Sequence, residues 1–443
     1  MNEKETYWIL LIFNPYPLRG NSNSEERNPK CFGIFEHLNL RIVSNFGFRY
    51  SDSKPGYAGL RGKRMERIAI VGVGQTKYER MKKGDSFADM VFEATSKALA
   101  DARMAIKEID NVVTVSNDFW DGRTISSMAV MDACGAYEKN VSTVEGDGTF
   151  GALYGMMRIL SGSFGTTLVV AHSKGSESVS SLITNGMFDP IYQRALGLDA
   201  IASSALQARR YMHKYGITEE QCARVSVKNH GNAKNNPYAQ LARDISVKDV
   251  MNSRMLSDPI KLYDASPISD GSCAIVLASE GRAKKIAQKP VWIQGVGHCA
   301  EAYFLGDRDL AECPSLEAAA KKAYGMAGIS NPLKEIDVAE VYDAFTYMEL
   351  LWSEGLGFCG KGQGGKLIDS GKTQMDGELP INPSGGVLSA HAVLVAGLAR
   401  VAECVLQLRG DAWPRQVEGA TTALAHGISG PCGQSHCVIV LGK

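Results

Sequence analysis

Ile68-Ala-Ile-Val-Gly-Val-Gly74 and Val291-Trp-Ile-Gln-Gly-Val-Gly297 decide the fold. Each is an apolar run closed by Gly-Val-Gly, and each leads into an Ala-rich amphipathic segment, 86–103 in the first copy and 315–327 in the second. Each copy then reaches Lys-Glu-Ile-Asp, at 107–110 and 334–337, followed by a β-branched run. The order is strand, helix, strand, twice over, at a nearly constant offset. Such a repeat points to a duplicated βαβαβ unit, because alternation of this kind builds parallel sheets covered by helices. Each half is then expected to end in a glycine-rich turn, a helix and an apolar strand, 167–172 in the first and 437–441 in the second.

Working outward from the repeat divides the chain. The first half is read as 65–285 and the second as 286–443. The stretch 173–275 is too long for a connection and carries helical patterns of its own at 202–215 and 219–235, so it is expected to form a loop domain over the active face. Thr218 is a plausible cap for the second of these helices, with Glu220 nearby. Residues 1–64 are polar, Asn/Ser/Arg/Gly-rich and without sustained periodicity, which reads as a poorly ordered N-terminal appendage.

Composition removes several classes of function. Lys plus Arg equals Asp plus Glu at 48 each, so nothing electrostatic argues for nucleic acid or an anionic membrane as the main partner. No apolar run approaches the length of a membrane span. Ten cysteines are scattered singly, without a CxxC pair, which suits free thiols in a reducing cytoplasm and gives no metal site. Gly360-Lys-Gly-Gln-Gly-Gly365 looks friendly to phosphate but forms neither a P-loop nor a dinucleotide fingerprint, so it is read as a backbone turn near the substrate mouth.

Four stretches carry a more specific signal: Lys228-Asn-His-Gly-Asn-Ala-Lys-Asn-Asn-Pro-Tyr-Ala-Gln240, Asp264-Ala-Ser-Pro-Ile-Ser-Asp-Gly-Ser-Cys-Ala-Ile-Val-Leu-Ala-Ser-Glu280, Glu340-Val-Tyr-Asp-Ala-Phe345 and Asn382-Pro-Ser-Gly-Gly386. In this order, across about 380 of the 443 residues, the chain resembles the sterol-carrier-type branch of the thiolase superfamily. The resemblance implies a five-layered α/β/α/β/α fold with an inserted loop domain, a homodimer, and a coenzyme A thioester as substrate, with no permanently bound cofactor. It also implies a separate small partner built from a zinc ribbon and an OB-fold.

In that family a cysteine nucleophile stands at the start of a buried helix, where the helix dipole lowers its pKa. Here the corresponding stretch reads Val144-Glu-Gly-Asp-Gly-Thr-Phe-Gly151 and places Gly148 at the nucleophile position, or Gly146 after a two-residue slip. Asp147 reads as a capping residue. Tyr342 stands where the family has a histidine that holds the thioester oxygen, and Asp343 follows it. His391, flanked by Ala390 and Ala392, matches the histidine of the glycine-rich loop, and His426 or Gly427 opens the last loop. The catalytic candidates are therefore Tyr342, His391, Asp343 and His426. Asn382, Gly385, Gly386 and Cys432 are the substrate-binding candidates, and Cys432 also reads as an inert buried thiol. Tyr347 and Glu349 read as helix packing and surface.

Two classes of function follow. One is an enzyme that makes or breaks a carbon–carbon bond beside an acyl-CoA thioester, either as a retro-aldol lyase, which needs no acyl-enzyme, or as an acyltransferase. The other is a non-catalytic subunit that binds acyl-CoA or lipid.

Overall fold

The computed structural model describes residues 66–443, and the appendage read at 1–64 lies outside them. The longer elements of the first half are β1 (Ile68–Gln75), α1 (Phe87–Ala102), β2 (Asn111–Val115), β3 (Asn140–Val144), α2 (Gly148–Leu160) and β4 (Thr166–Lys174). An excursion follows with α3 (Ala200–Tyr215) and α4 (Glu219–Ala233), before β5 (Asp270–Ser279) returns to the sheet. The second half runs β6 (Val291–Ala300), α5 (Pro314–Ala327), β7 (Val338–Glu340), α6 (Thr346–Gly355), α7 (Ala396–Arg409), β8 (Thr422–Ser429) and β9 (Ser435–Gly442).

The strands line up as β3-β2-β4-β5-β1-β6-β9-β8-β7, so the halves mirror each other about the β1–β6 pair. Even the missing fifth strand of the second half leaves a trace, a parallel bridge between Ala339 and Ile381 outside β7. The repeated sequence signals do the same work twice. Ser86 caps α1 in a capping box with Asp89. A Cβ on Gly72 or Gly74 would lie 2.3–2.4 Å from carbonyl oxygens of Ala98 and Ala94, and one on Gly295 or Gly297 would lie 1.8–2.1 Å from those of Ala323 and Ala319. Gly-Val-Gly is thus the condition for an Ala-rich helix to lie directly on its strand. Asp110 accepts from the backbone N–H groups of Gly165 and Thr166 at 2.7 and 3.0 Å, and Asp337 accepts from those of Thr421 and Thr422 at 2.8 and 2.9 Å.

Two expectations are corrected. The sheet is mixed: β2 pairs in parallel with β3 and β4, and β7 with β8, whereas β5 runs antiparallel to β1 and β4, and β9 antiparallel to β6 and β8. Each half ends by doubling back instead of crossing over, so its last strand reverses direction. The counterpart of 167–172 is consequently β8, and 437–441 belongs to β9, which answers β5. The loop excursion also ends sooner than 275, because Asp270 already pairs in the sheet with Lys174. The cap of α4 is as expected, but Thr218 closes its box with Gln221 and not Glu220.

Alternate residues of the strands enter different cores. Leu168 and Val170 pack with α1, while Val169 and Ala171 join a central cluster containing Ala152 and Met156 of α2 and Leu398, Val401 and Val405 of α7. On the other side, Ile439 and Leu441 face the same central cluster, whereas Val438 and Val440 face α5 and the loop-domain helices. The layers therefore read α1, first-half strands, α2 with α7, second-half strands, α5. Strands buried on both faces need apolar residues at every position, which is why they lack the alternation of a half-exposed sheet. This layering brings the starts of α2 and α7 together deep in the molecule.

Candidate active site

Tyr342 leaves the end of β7 and His391 lies in the turn before α7, 49 residues apart in sequence. The Tyr342 hydroxyl and His391 Nε2 lie 2.8 Å apart, and Ser266 Oγ lies 3.0 Å from His391 Nδ1. The rings of Tyr342 and His391 meet edge to face, with centroids 5.8 Å apart. The backbone fixes this arrangement, since Ser269 and His391 exchange two hydrogen bonds and the Ser266 N–H donates to Ala344 O. Burial holds the Tyr342 phenol well above its ordinary range, with Asp147 and Asp343 adding to the effect. Burial, then Arg400, pushes the half-buried His391 down to about 4. Both groups are neutral near pH 7. A neutral imidazole has one donor and one acceptor nitrogen, so Tyr342, His391 and Ser266 form a line along which a proton moves in either direction by switching tautomer.

The other sequence candidates lie behind this pair. His426 is fully buried in β8, its Nδ1 accepts from the Tyr342 backbone N–H at 3.4 Å, and its Nε2 lies 2.9 Å from His436 Nδ1. Because a backbone N–H only donates, the proton of neutral His426 sits on Nε2 and points to His436. Burial pushes His426 down to about 3. It orients the backbone of Tyr342 and does not face the phenol.

Asp343, expected beside the reacting groups, points away into a polar network. It accepts from the Asn229 side chain at 2.6 Å and from the Val387 N–H. Asn382, expected to bind substrate, is fully buried. Its Oδ1 accepts from the Val341 N–H at 2.8 Å and its Nδ2 donates to Glu349 at 2.9 Å. Glu349, read as surface, is buried and pairs with Lys228 at 2.7 Å. Gly385 and Gly386 have φ of +92° and +66°, and a Cβ on them would strike Ala233 and the Asp343 carboxylate, so they serve the turn and its packing. Cys432 is buried with Phe188, Leu198 and Leu305, and burial pushes its thiol up to about 11. Gly360–Gly365 carries no open phosphate cradle, because the N–H groups of Gly362 and Gly364 already hold the carboxylate of Glu354, at 2.7 and 2.8 Å.

Gly148 is the first residue of α2, capped by Asp147. A Cβ there would lie 2.4 Å from Leu398 Cβ and 2.5 Å from the Leu398 backbone nitrogen. Cys437 Sγ lies 3.8 Å from the Thr149 carbonyl oxygen, and burial pushes this thiol up to about 12. Sequence reasoning missed Ser266 and Arg400. Arg400 is a buried cation on α7, 2.7 Å from Glu340 but out of line for a hydrogen bond, which leaves its Nε and Nη1 without a hydrogen-bond partner among the described residues. Burial raises Glu340 to about 7 against the pull of Arg400.

A duplicated five-layered fold whose central helices α2 and α7 meet at their starts defines a thiolase-type protein. The family model "Thiolase, N-terminal domain" matches residues 68–281, and "Thiolase C-terminal domain-like" matches 297–443. The chain belongs to the thiolase superfamily, in its sterol-carrier-type branch. It is 35% identical over 379 residues to the acetyl-CoA acetyltransferase of Methanothermobacter thermautotrophicus, covering 83% of this chain and 98% of the relative. It is 31% identical to human sterol carrier protein 2, covering 82% of this chain and 70% of that protein. Among solved structures, the Ltp2-ChsH2(DUF35) aldolase superposes with a TM-score of 0.74 at 28% identity, over 85% of this chain and 98% of that one. Human mitochondrial 3-ketoacyl-CoA thiolase shares the fold, with a TM-score of 0.65 at 16% identity over 86% of this chain and 99% of that one.

Proposed function

We propose that this chain cleaves a carbon–carbon bond beside an acyl-CoA thioester by a retro-aldol reaction, without a cysteine nucleophile. The observation that carries the reading is the 2.8 Å contact between the Tyr342 hydroxyl and His391 Nε2. Next to it, the helix start that would carry a thiol holds Gly148 packed against Leu398. In the forward step Tyr342 takes the proton of the substrate's β-hydroxyl while passing its own to His391. The β-oxygen becomes a carbonyl, the Cα–Cβ bond breaks, and its electrons form the thioester enolate. The proton returns from His391 through Tyr342 to Cα. Protons and electrons balance within the substrate, and no acyl group is attached to the protein. The aldolase among the similar solved structures supports this reading.

The test is product analysis with a panel of β-hydroxyacyl-CoA esters, with and without added coenzyme A. Retro-aldol cleavage gives a shortened acyl-CoA and a free carbonyl compound at the same rate in both. A dependence on added coenzyme A, or an acylated cysteine peptide, defeats it. Binding of the esters without turnover favours the non-catalytic reading.

The same reading includes a homodimer in the cytoplasm and a separate zinc-ribbon/OB-fold partner. Among the described residues β3 is the end strand of the sheet with its outer edge unpaired, and Phe119, Ile125, Met128 and Tyr137, in segments next to it in sequence, are exposed. An uncovered strand edge with apolar neighbours favours a second copy. The solved aldolase is itself named as an assembly with a DUF35 protein. Among the described residues no helix is long and apolar enough to cross a membrane. Sedimentation of the full chain gives a dimer mass if the β3 edge is paired, and a monomer mass if it is not.

A further inference from the structure

Asp147 is fully built into the protein without any place in the reaction described above. Its carboxylate accepts from the Thr149 N–H at 3.0 Å, from the Thr149 hydroxyl at 2.6 Å, and from the Gly397 N–H at 2.6 Å. One carboxylate thus bridges the first turn of α2 and the first turn of α7, where both helix dipoles present positive ends. The surroundings are shaped to it. A Cβ on Gly397 or on Gly427 would fall 1.8 or 2.0 Å from its Oδ1. Gly427 follows His426, which holds the Tyr342 backbone, and Gly397 lies six residues after His391 in the segment that opens α7. The carboxylate therefore touches both segments that bring the phenol and the imidazole together.

We propose that Asp147 is a positioning residue for the Tyr342–His391 pair: it ties the start of α7 to the start of α2, and so sets where His391 meets the Tyr342 hydroxyl, while lodging one negative charge beside them. This rests on the retro-aldol reading of the site. The charged and titratable groups around Tyr342 are Asp147 and Asp343, both acidic, and Arg400, which act on the phenol through space, with His391 at its hydroxyl and His426 at its backbone N–H. Burial lifts Asp147 to about 6 against its three donors, so its charge is present near pH 7 and lost below about 6.

The test is a pH titration of the full chain labelled with carbon-13 at the tyrosine ring, with the Tyr342 signal assigned by its loss in Tyr342→Phe. In the unaltered protein that signal shows an inflection near pH 6 as Asp147 takes up its proton, and Asp147→Asn removes it. Asp147→Asn also lowers kcat for β-hydroxyacyl-CoA cleavage by about tenfold or more, with KM within about threefold. A Tyr342 signal flat through pH 6 in the unaltered protein overturns the proposal, and this needs no variant to fold. So does an Asp147→Asn enzyme with unchanged kcat. If Tyr342→Phe keeps full turnover, the retro-aldol reading falls instead, because the inflection is read without turnover.

Discussion

Tyr342 and His391 divide the candidate residues by a simple criterion, whether the polar atoms of a side chain are already used by the protein. Asp343 and Asn382 spend theirs on backbone N–H groups and on neighbouring side chains, whereas the Tyr342 hydroxyl has an imidazole that can exchange protons with it. Tyr342→Phe is expected to keep the fold and lower kcat by roughly 10²–10⁴-fold, measured as release of the carbonyl product. Gly148→Ala is expected to cost about 1–3 kcal/mol in urea unfolding, because its Cβ would overlap Leu398. The sequence made Tyr342 visible by its place in Glu340–Phe345 and His391 by its place in the glycine-rich loop that follows Asn382. It did not reveal that the other motif members face away, since motif membership carries no side-chain direction. Ser266 was hidden within the second landmark, and Arg400 had a signal that went unused, a cation amid the apolar residues of α7.

Among the elements, the Gly360–Gly365 loop behaves as an anion cradle already filled from within. Glu354 occupies it and also pairs closely with the Tyr211 hydroxyl of α3, which fastens the loop excursion to the second half. Glu354→Ala leaves the N–H groups of Gly362 and Gly364 without their acceptor. It is expected to lower stability by about 1–3 kcal/mol and to speed hydrogen exchange at those two amides. Faster exchange elsewhere with these two unchanged would contradict the cradle. The repeated strands and helices were legible because Gly-Val-Gly and the aspartates of Lys-Glu-Ile-Asp each report a local contact that both halves need. Strand direction and the β4–β8 match were not. An apolar run looks the same whichever way it runs, and pairing is decided between segments far apart in sequence.

Across the whole molecule, buried acids and buried histidines pull stability in opposite directions with pH. His391 and His426 are held at about 4 and about 3, and His436 well below its ordinary value, so the unfolded chain takes up protons below about 6.5 that the folded chain refuses. Their effect is absent above about 6.5, and stability falls as pH drops from there. Asp147 and Glu340 are held up at about 6 and about 7, and Asp343 well above the carboxylate range, mainly by burial. These acids bind protons in the folded state that the unfolded chain has released, so stability falls as pH rises from about 4 through those values. Around the site these three histidines oppose these three acids between about pH 4 and 6, and elsewhere among the described residues His230 and His298, also lowered, oppose Asp264 and Glu354, also raised, so unfolding free energy is expected to be nearly flat there. Asp147→Asn removes one acid, and the variant is expected to lose up to about 1.4 kcal/mol per pH unit as the solution is acidified across this range. Urea midpoints at the two ends of the window measure it, and equal slopes for both proteins would count against the balance. The contact between Gly148 and Leu398 closes off more than a side chain. Any residue with a β-carbon at position 148 meets the main chain of the facing helix as well as its leucine, so trimming Leu398 alone leaves the obstruction in place. Any side chain at position 148 therefore needs the starts of α2 and α7 to separate, and the stability lost in Gly148→Ala reads what that movement costs.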